Sequence, residues 1–261
     1  MKYYVVDAFA DKVFSGNPAG VCVVEASSSE VMMQSIAAEN NLSETAFLVR
    51  KSLGHYDLKW FTPKSEIDLC GHATLATAFV VSNFVDVGLE VMEFSTLSGI
   101  LKVTRNDDEY VMNFPAILPK SIDIPLDLEG ALGVVPIATW LDRDLVVLVK
   151  DAAVVSSMVP DILKLCLLEE GLGVIVTAKG VDCDFVSRCF YPKLGVNEDP
   201  VTGSAHSFLA PLWSSKLGKK VLVGKQLSER GGIVNCEIIG NRVNLSGKAV
   251  LYLQGELLSR G

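Results

Sequence analysis

The chain has 261 residues, a formal net charge of −8 and 49% hydrophobic residues. This composition is typical of a globular protein with one large domain or two small ones, and its acidity argues against nucleic acid or an anionic membrane as a partner. No apolar run approaches the roughly 20 residues of a membrane-spanning helix, and no secretory signal is visible at the N-terminus. Because six cysteines form no C-x-x-C pair and only three histidines occur, we expect no metal site and a reduced, cytoplasmic protein.

Short segments rich in Val, Ile, Tyr and Phe, bounded by Gly, Pro, Asn or Asp, predict strands along most of the chain. In chain order they lie at 3–9, 20–25, 44–50, 55–61, 91–94, 100–104, 110–114, 144–149, 173–177, 182–190, 234–239 and 242–253. Helices are predicted at 29–39, 71–84, 160–168 and 203–217. Short polar turns, such as the one at 106–108, favour antiparallel neighbours. The pattern predicts a strand-rich α+β protein rather than a regular alternation of strands and helices.

A short internal repeat divides the chain into halves. The motif Phe-x-Pro-Lys occurs at 61–64 and again at 190–193, and each copy precedes a glycine that starts a predicted helix, Gly71 or Gly203. The two glycines are separated by about half of the chain. The repeat therefore predicts two similar domains, each with strands around one buried helix. We place them at 1–115, completed by about 250–261, and at 120–249.

The two helix starts are candidate binding positions. Free backbone N–H groups at a helix N-terminus can hold a carboxylate, so two such termini need no arginine. If the halves are related by a pseudo-two-fold axis, both termini face one cleft, with Gly71 and Gly203 at the substrate. The alternative is two ordinary buried helices whose glycines allow close packing.

Several polar side chains near these glycines have both a functional and a structural explanation. Cys70 is a candidate acid–base thiol, although a lone buried cysteine is often a small hydrophobe. His72 can serve hydrogen bonding or packing, and His206, one turn into the second helix, can equally belong to the core. Asp199 and Ser204 can be a turn residue and a helix cap.

Glu44 and Asn17 lie earlier in the chain. Glu44 stands between a predicted helix and an apolar strand, where desolvation is expected to raise its pKa toward the working range of a general base. A solvated loop glutamate is the alternative. Asn17, in Gly-Asn-Pro-Ala-Gly at 16–20, is first of all a turn residue.

Taken together, these segments resemble the phenazine-biosynthesis isomerase (PhzF-like) family. The matching blocks are GNPAG at 16–20, NLSET at 41–45, LCGHAT at 69–74 and EDPVTGSAH at 198–206, followed by RGG at 230–232, GKAV at 247–250 and Gly255. They occur in order and cover nearly the whole chain. The resemblance implies the diaminopimelate-epimerase-like fold, in which two similar domains, each a β-barrel wrapped round a central helix, have the active site between them. It also implies a homodimer that needs no cofactor, neither metal nor pyridoxal phosphate.

The same resemblance implies roles for individual residues. The family's proton-carrying glutamate corresponds to Glu44, and its supporting histidine, aspartate and serine correspond to His72, Asp199 and Ser204. We expect the substrate, a small carboxylate-bearing molecule, to contact Asn17, Cys70, Gly71 and Gly203. The phenazine enzyme itself isomerises dihydro-hydroxyanthranilate.

Related epimerases instead place a cysteine at each helix start, one as acid and one as base. Cys70 keeps the first position, but Thr202 occupies the second, and its hydroxyl does not ionise near neutral pH. The sequence therefore favours a cofactor-independent isomerase that moves a proton with a single base. Two alternatives stay open: an amino-acid racemase or epimerase that uses Cys70 with another base, and a catalytically silent small-molecule-binding protein.

Overall fold

The structure, a computed structural model, describes residues 1–26 and 28–258. Its strands, in chain order, are β1 (Lys2–Ala8), β2 (Asn17–Val23), β3 (Glu44–Ser52), β4 (His55–Phe61), β5 (Glu66–Ile67), β6 (Val91–Thr96), β7 (Gly99–Asn106), β8 (Glu109–Pro115), β9 (Lys120–Ile122), β10 (Ala138–Leu141), β11 (Leu145–Leu148), β12 (Val174–Lys179), β13 (Phe185–Tyr191), β14 (Val196–Asp199), β15 (Val221–Gln226), β16 (Gly232–Ile239) and β17 (Arg242–Glu256). Its helices are α1 (Glu30–Asn40), α2 (Gly71–Val80), α3 (Leu128–Leu132), α4 (Ala152–Ser157), α5 (Ile162–Leu167) and α6 (Gly203–Leu217), and a π-helical turn, Val81–Val85, continues α2.

Every strand and helix predicted from the sequence is present, with ends that shift by a few residues. The predicted helix at 203–217 coincides with α6, and the one at 71–84 is α2 with its π-helical turn. The predictions missed short elements, namely β5, β9, β10, β14, β15, α3 and α4. Among the described residues, no helix is both long and apolar enough to span a membrane.

The chain forms two compact units, Met1–Asn113 with Ser246–Gly261 and Phe114–Leu245. In the first unit the neighbouring strands are β17, β1, β2, β3, β4, β6, β7 and β8, and β8 pairs back with β17. This pairing closes an eight-stranded barrel. Hairpins such as β7–β8 are antiparallel, as predicted, but β2–β3 and β4–β6 are parallel because a helix joins the two strands of each pair.

The second unit repeats this pattern of pairing. Its strands follow the order β9, β10, β11, β12, β13, β15, β16 and the start of β17. The parallel pairs β11–β12 and β13–β15 correspond to β2–β3 and β4–β6 of the first unit, and α6 corresponds to α2. The duplication that the Phe-x-Pro-Lys repeat predicts is therefore confirmed in the strand order.

Each central helix is buried on nearly all sides. In α2, Ala73, Ala76 and Ala78 are fully buried, and in α6 so are Ala205 and Ala210. These small side chains let the surrounding strands approach the helix closely. Burial on all sides also explains why neither helix shows a single apolar face in its sequence.

A proline inside α6 has a compensating hydrogen bond. Pro211 has no N–H, so the carbonyl of Ser207, four residues earlier, receives no hydrogen bond from within the helix. The backbone N–H of Ile117 donates to this carbonyl instead, at 2.9 Å. The connection between β8 and β9 thereby anchors the middle of α6 and keeps the helix continuous through the proline.

Candidate active site

Three ionisable side chains meet at the start of α2. Cys70 is the N-cap residue, with an extended backbone and no side-chain capping hydrogen bond, and His72 is the second helical residue. Glu44 is the first residue of β3. His72 Nε2 lies 3.1 Å from Glu44 Oε2, and His72 Nδ1 lies 3.5 Å from Cys70 Sγ. The imidazole therefore stands between a carboxylate and a thiol.

The contact between Glu44 and His72 is an ion pair rather than a directional hydrogen bond. The two atoms are close, but neither completes a well-aligned hydrogen bond with any described residue. The side chains of Glu44 and His72 are only 17% and 7% exposed. Solvent and salt therefore screen their attraction much less than that of a surface pair.

This environment ionises both partners. Burial favours the neutral carboxyl of Glu44, but the adjacent His72 holds its pKa below the ordinary value. Burial also opposes a charge on His72, yet Cys70 and Glu44 raise its pKa well above the ordinary value. The expectation of a raised pKa at Glu44 is wrong, because it considered desolvation without the imidazole 3.1 Å away.

Cys70 is held in its protonated form. Burial is the main cause of the raised pKa of its thiol, and the negative charge of Glu44 adds to it, while His72 offsets only part of the rise. A protonated thiol can donate a hydrogen bond but cannot act as a base at neutral pH. The geometry therefore gives Cys70 a supporting position beside the imidazole.

Glu44, Cys70 and His72 also have the residue types of a metal site, and their ligand atoms lie within 4.8 Å of one another. However, the carboxylate contacts Nε2 of the imidazole and the thiol contacts Nδ1. A neutral imidazole offers an ion the lone pair of only one nitrogen. A single ion would therefore require the ring or its neighbours to turn, so the arrangement does not favour metal binding, and the expected absence of a metal stays a prediction.

Asn17 completes the polar environment of His72. It is the first residue of β2 and fully buried, and its side-chain amide lies 3.3 Å from His72 Nδ1. Because both nitrogens of an imidazolium donate, the amide must turn its oxygen toward Nδ1 when His72 is charged. The turn residue of this block is Gly16 instead: its φ is +67°, and a Cβ there would lie only 2.8 Å from the Cβ of Ala10. The GNPAG block thus delivers Asn17 to the histidine, which is more than the turn role predicted for it.

At the start of α6, a hydrogen-bond network fixes Asp199. Thr202 is the N-cap residue, and its hydroxyl donates to Asp199 Oδ2 at 2.5 Å. The backbone N–H of Thr202 donates to Gln226 Oε1 at 2.9 Å, and Gln226 Nε2 donates to the carbonyl of Asp199 at 2.7 Å. Gln226 is fully buried. Sequence reasoning missed it because it lies 24 residues from Thr202 and belongs to no recognised block.

Ser204, the second residue of α6, has an arginine beside it. Arg143 Nη2 donates to Ser204 Oγ at 3.1 Å. The same guanidinium pairs with Asp144, which is fully buried and also accepts hydrogen bonds from Tyr191 Oη and the N–H of Gly173. The sequence prediction of a carboxylate site without any arginine overlooked Arg143, which is 61 residues away from Ser204 along the chain.

His206 has a structural role in α6. Its ring is fully buried, and Nδ1 lies 2.8 Å from the carbonyl of Thr202. Burial lowers the pKa of His206 to about 4, so the ring is neutral. Gly224 leaves room for it, since a Cβ there would lie 3.1 Å from Nε2 and 2.6 Å from the ring of Phe185. The core explanation of His206 is the one that the geometry supports.

The structure thus collects the predicted residues into two groups. The first unit brings together Glu44, Cys70, His72 and Asn17, with Gly71 as the first residue of α2. The second unit brings Asp199 and Ser204 to the start of α6, where Gly203 is the first residue. The prediction that the two helix starts face one cleft stays a prediction.

Known proteins resemble the chain over nearly its whole length. Residues 6–255 match the family described as phenazine biosynthesis-like protein. An uncharacterized isomerase of Pseudomonas aeruginosa is 48% identical over 257 residues, which cover 97% of each chain. The crystal structure of a phenazine biosynthesis protein of the PhzF family from Enterococcus faecalis is 50% identical, with a TM-score of 0.96 over 98% of each chain. A hydroxyproline epimerase from Agrobacterium vitis shares the fold at a TM-score of 0.63 and 10% identity, over 98% of this chain and 91% of the epimerase.

Two similar barrels, each wrapped round a central helix, define the diaminopimelate-epimerase-like fold, which the sequence predicted. The ionised pair on one helix start and the hydrogen-bond network on the other belong to this scaffold. The chain belongs to the phenazine biosynthesis-like (PhzF) family, and curated relatives at 43–48% identity are named isomerases.

Proposed function

We propose that the protein is a cofactor-independent isomerase that moves a proton between two carbons of a small carboxylate, with Glu44 as the single base. The observation that carries this proposal is the buried ion pair, in which Glu44 Oε2 lies 3.1 Å from His72 Nε2. A carboxylate kept ionised in a largely buried position is ready to accept a proton. Its conjugate acid is strong enough to return that proton to the substrate.

His72 supports the transfer by its charge. While Glu44 is ionised, the imidazolium beside it balances the carboxylate, so the pair is neutral as a whole. When Glu44 accepts a proton, His72 loses that balance and favours release of the proton from the carboxyl group. The charge of His72 therefore keeps Glu44 an intermediate carrier rather than a final acceptor, which suits a reaction that returns the proton to the same substrate.

Asp199 and Ser204 bind and orient the substrate in this proposal. Thr202 and Gln226 fix the strand end that bears Asp199, and α6 presents the hydroxyl of Ser204. The free N–H groups at the start of α6 favour an anionic group such as a carboxylate. A homodimer in the cytoplasm without metal or pyridoxal phosphate is part of the same proposal.

The racemase alternative has weaker support. A two-base racemase needs an ionisable group at both helix starts, but Thr202 takes the second position and donates its hydroxyl to Asp199. The raised pKa of Cys70 keeps the remaining thiol protonated. No feature of the described residues favours Cys70 over Glu44 as the base.

The experiment is hydrogen–deuterium exchange at carbon, followed by ¹H NMR in D₂O. Dihydro-hydroxyanthranilate and L-proline are the first carboxylates to offer, since they represent the isomerase and the racemase hypotheses. For a substrate that exchanges, Glu44→Gln should slow the exchange by about 10²–10⁴-fold, as loss of an acid–base group typically does. Glu93→Gln is the matched control, because Glu93 also pairs with a histidine, His55, but at the surface.

Full exchange activity in folded Glu44→Gln would remove Glu44 from the mechanism and make Asp199 the next candidate base. Equal losses in Glu44→Gln and Glu93→Gln would show a general effect of removing a carboxylate. Exchange of L-proline that requires Cys70 would support the racemase instead. The proposal predicts that exchange slows in Glu44→Gln but not in Glu93→Gln.

A further inference from the structure

Arg143 places a guanidinium at the start of α6, where the carboxylate of Asp144 offsets part of its charge. Its guanidinium donates to the hydroxyl of Ser204, the second residue of α6. The N-terminus of a helix carries partial positive charge, so a cation there raises the free energy of the folded protein. A cation at a helix N-terminus departs from the usual charge preference, and such departures beside candidate site residues are typical of functional positions.

The surroundings hold the guanidinium in place. Nε and Nη2 of Arg143 donate to Oδ2 of Asp144 at 3.2 and 2.5 Å, and the ring of Phe208 lies 5.9 Å from the centre of the guanidinium. Asp144 is itself fixed, because it is fully buried and hydrogen-bonded to Tyr191. The side chain of Arg143 nevertheless stays 46% exposed.

The contact with Arg143 decides the direction of the Ser204 hydroxyl. Ser204 Oγ accepts the N–H of Arg143, so its own hydrogen points away and is available to a further acceptor. A carboxylate offers the Ser204 hydroxyl only acceptor oxygens, and the positive charge of Arg143 strengthens its binding. A neutral amide has one acceptor oxygen and no charge, so it binds both groups less strongly.

We infer that Arg143 is a positioning and specificity-determining residue, which orients the Ser204 hydroxyl as a donor and selects an anionic carboxylate over its neutral amide. The inference rests on the proposed function for the substrate class. It does not depend on Glu44 as the proton carrier.

The test measures selectivity between a carboxylate and its amide by isothermal titration. The probes are anthranilate, a stable aromatic amino-carboxylate related to dihydro-hydroxyanthranilate, and anthranilamide. The wild type should prefer anthranilate, and Arg143→Met should weaken anthranilate binding by about 10- to 100-fold, the usual cost of a hydrogen bond to a charged group, while anthranilamide binding changes little. Arg143→Lys should restore part of the preference, because it keeps the charge but loses the guanidinium fork.

Arg50→Met is the matched control. Arg50 pairs with Asp86 and is 45% exposed, but it lies in the other unit. Its loss should leave the carboxylate preference unchanged, and thermal unfolding should show that both methionine variants are folded. Anthranilate binding no stronger than anthranilamide binding in the wild type, or equal loss of preference in Arg50→Met, would overturn the inference.

The outcomes separate this inference from the proposed function. Selectivity that depends on Arg143, in a protein whose Glu44→Gln variant still exchanges protons, would uphold Arg143 and reject Glu44 as the base. Selectivity that is independent of Arg143, with exchange lost in Glu44→Gln, would do the reverse.

Discussion

The two central helices begin with different chemistry at equivalent positions. In α2, Cys70 and His72 are followed by an apolar run, and the histidine pairs with a carboxylate. In α6, Thr202 and Ser204 take the same places; Thr202 donates to the carboxylate of Asp199, and Ser204 accepts from the guanidinium of Arg143. One duplicated scaffold therefore presents two helix starts, the first with a buried imidazole–carboxylate pair and the second with a network of hydrogen bonds; the proposed function gives them different roles.

The two buried histidines show the physical cause of this difference. His206 is fully buried beside a backbone carbonyl, and burial lowers its pKa to about 4. Burial acts on His72 in the same direction, but the thiol of Cys70 and the carboxylate of Glu44 reverse its effect and raise its pKa. The partner of a buried imidazole, rather than its burial, decides whether the ring carries a charge.

The largest effect is expected from His72→Gln, which removes the charge of the imidazole and keeps a polar side chain. Removing one partner of a buried ion pair typically costs about 3–5 kcal/mol of stability, and protonation of Glu44 limits that cost. Without His72, burial is the dominant influence on Glu44 and raises the pKa of its carboxyl group. Urea unfolding should therefore show a larger loss at pH 7 than at pH 5, where Glu44 can be neutral.

The sign comes from the unpaired carboxyl group of Glu44 in the variant, because the wild-type pair stabilises the fold at both pH 5 and pH 7. The lowered pKa of Glu44 stabilises the fold above its ordinary value of 4.5, and this contribution is lost as the pH falls through the lowered value. The raised pKa of His72 stabilises the fold below its ordinary value of 6.5, and this contribution is lost as the pH rises through the raised value. Ser204→Ala, the equivalent change in α6, should cost about 1 kcal/mol at either pH. A loss in His72→Gln that is the same at pH 5 and pH 7 would contradict the ion pair.

A smaller effect is expected from Gln226→Leu in the second unit. This variant leaves the buried N–H of Thr202 without its acceptor, which should cost about 1–3 kcal/mol in urea unfolding. Gln34→Leu is the control, because the amide of Gln34 donates to the carbonyl of Thr62 at a half-buried position where water can replace it. Equal costs in the two variants would mean that Gln226 does not hold the start of α6.

The smallest effect on turnover is expected from Cys70→Ala. The protonated thiol supports His72 but is not the base, so proton exchange should fall by less than the roughly 10²-fold that marks loss of an acid–base group. Cys22→Ala, a buried cysteine of the same unit outside the site, controls for packing. A folded Cys70→Ala variant without any exchange would favour the racemase hypothesis and make the two helix starts more alike than we propose.

Much of the fold could be predicted because its signals are local. The Phe-x-Pro-Lys repeat and the two glycine-started helices indicated the duplication, and the strands of five or more residues, except six-residue β15, showed alternation or β-branched runs. Two-residue β5 and four-residue β14 are too short to show a period. The parallel pairs β2–β3 and β4–β6 were missed because each depends on the strand position to which α1 or α2 leads the chain. No turn signal in the sequence shows that position.

The site was predictable in its residue types but not in its electrostatics. The blocks at 41–45 and 69–74 pointed to Glu44 and His72, yet the direction of the Glu44 pKa depends on a distance across the barrel. Arg143 lies in the turn between β10 and β11 and Gln226 ends β15, both far along the chain from Ser204 and Thr202, which they contact. Contacts of this kind arise from tertiary packing, so one sequence without the fold contains no local signal for them.

The most direct test of the account is the charge of His72. The chain has only three histidines, so ¹⁵N-histidine labelling gives a simple spectrum in which His72→Gln identifies the signals of His72. At pH 7 the account predicts that both ring nitrogens of His72 are protonated, while His206 has one protonated nitrogen, Nδ1, and one bare nitrogen. A neutral His72 with one bare nitrogen at pH 7 would contradict the ion pair with Glu44, and with it the division of roles between the two helix starts.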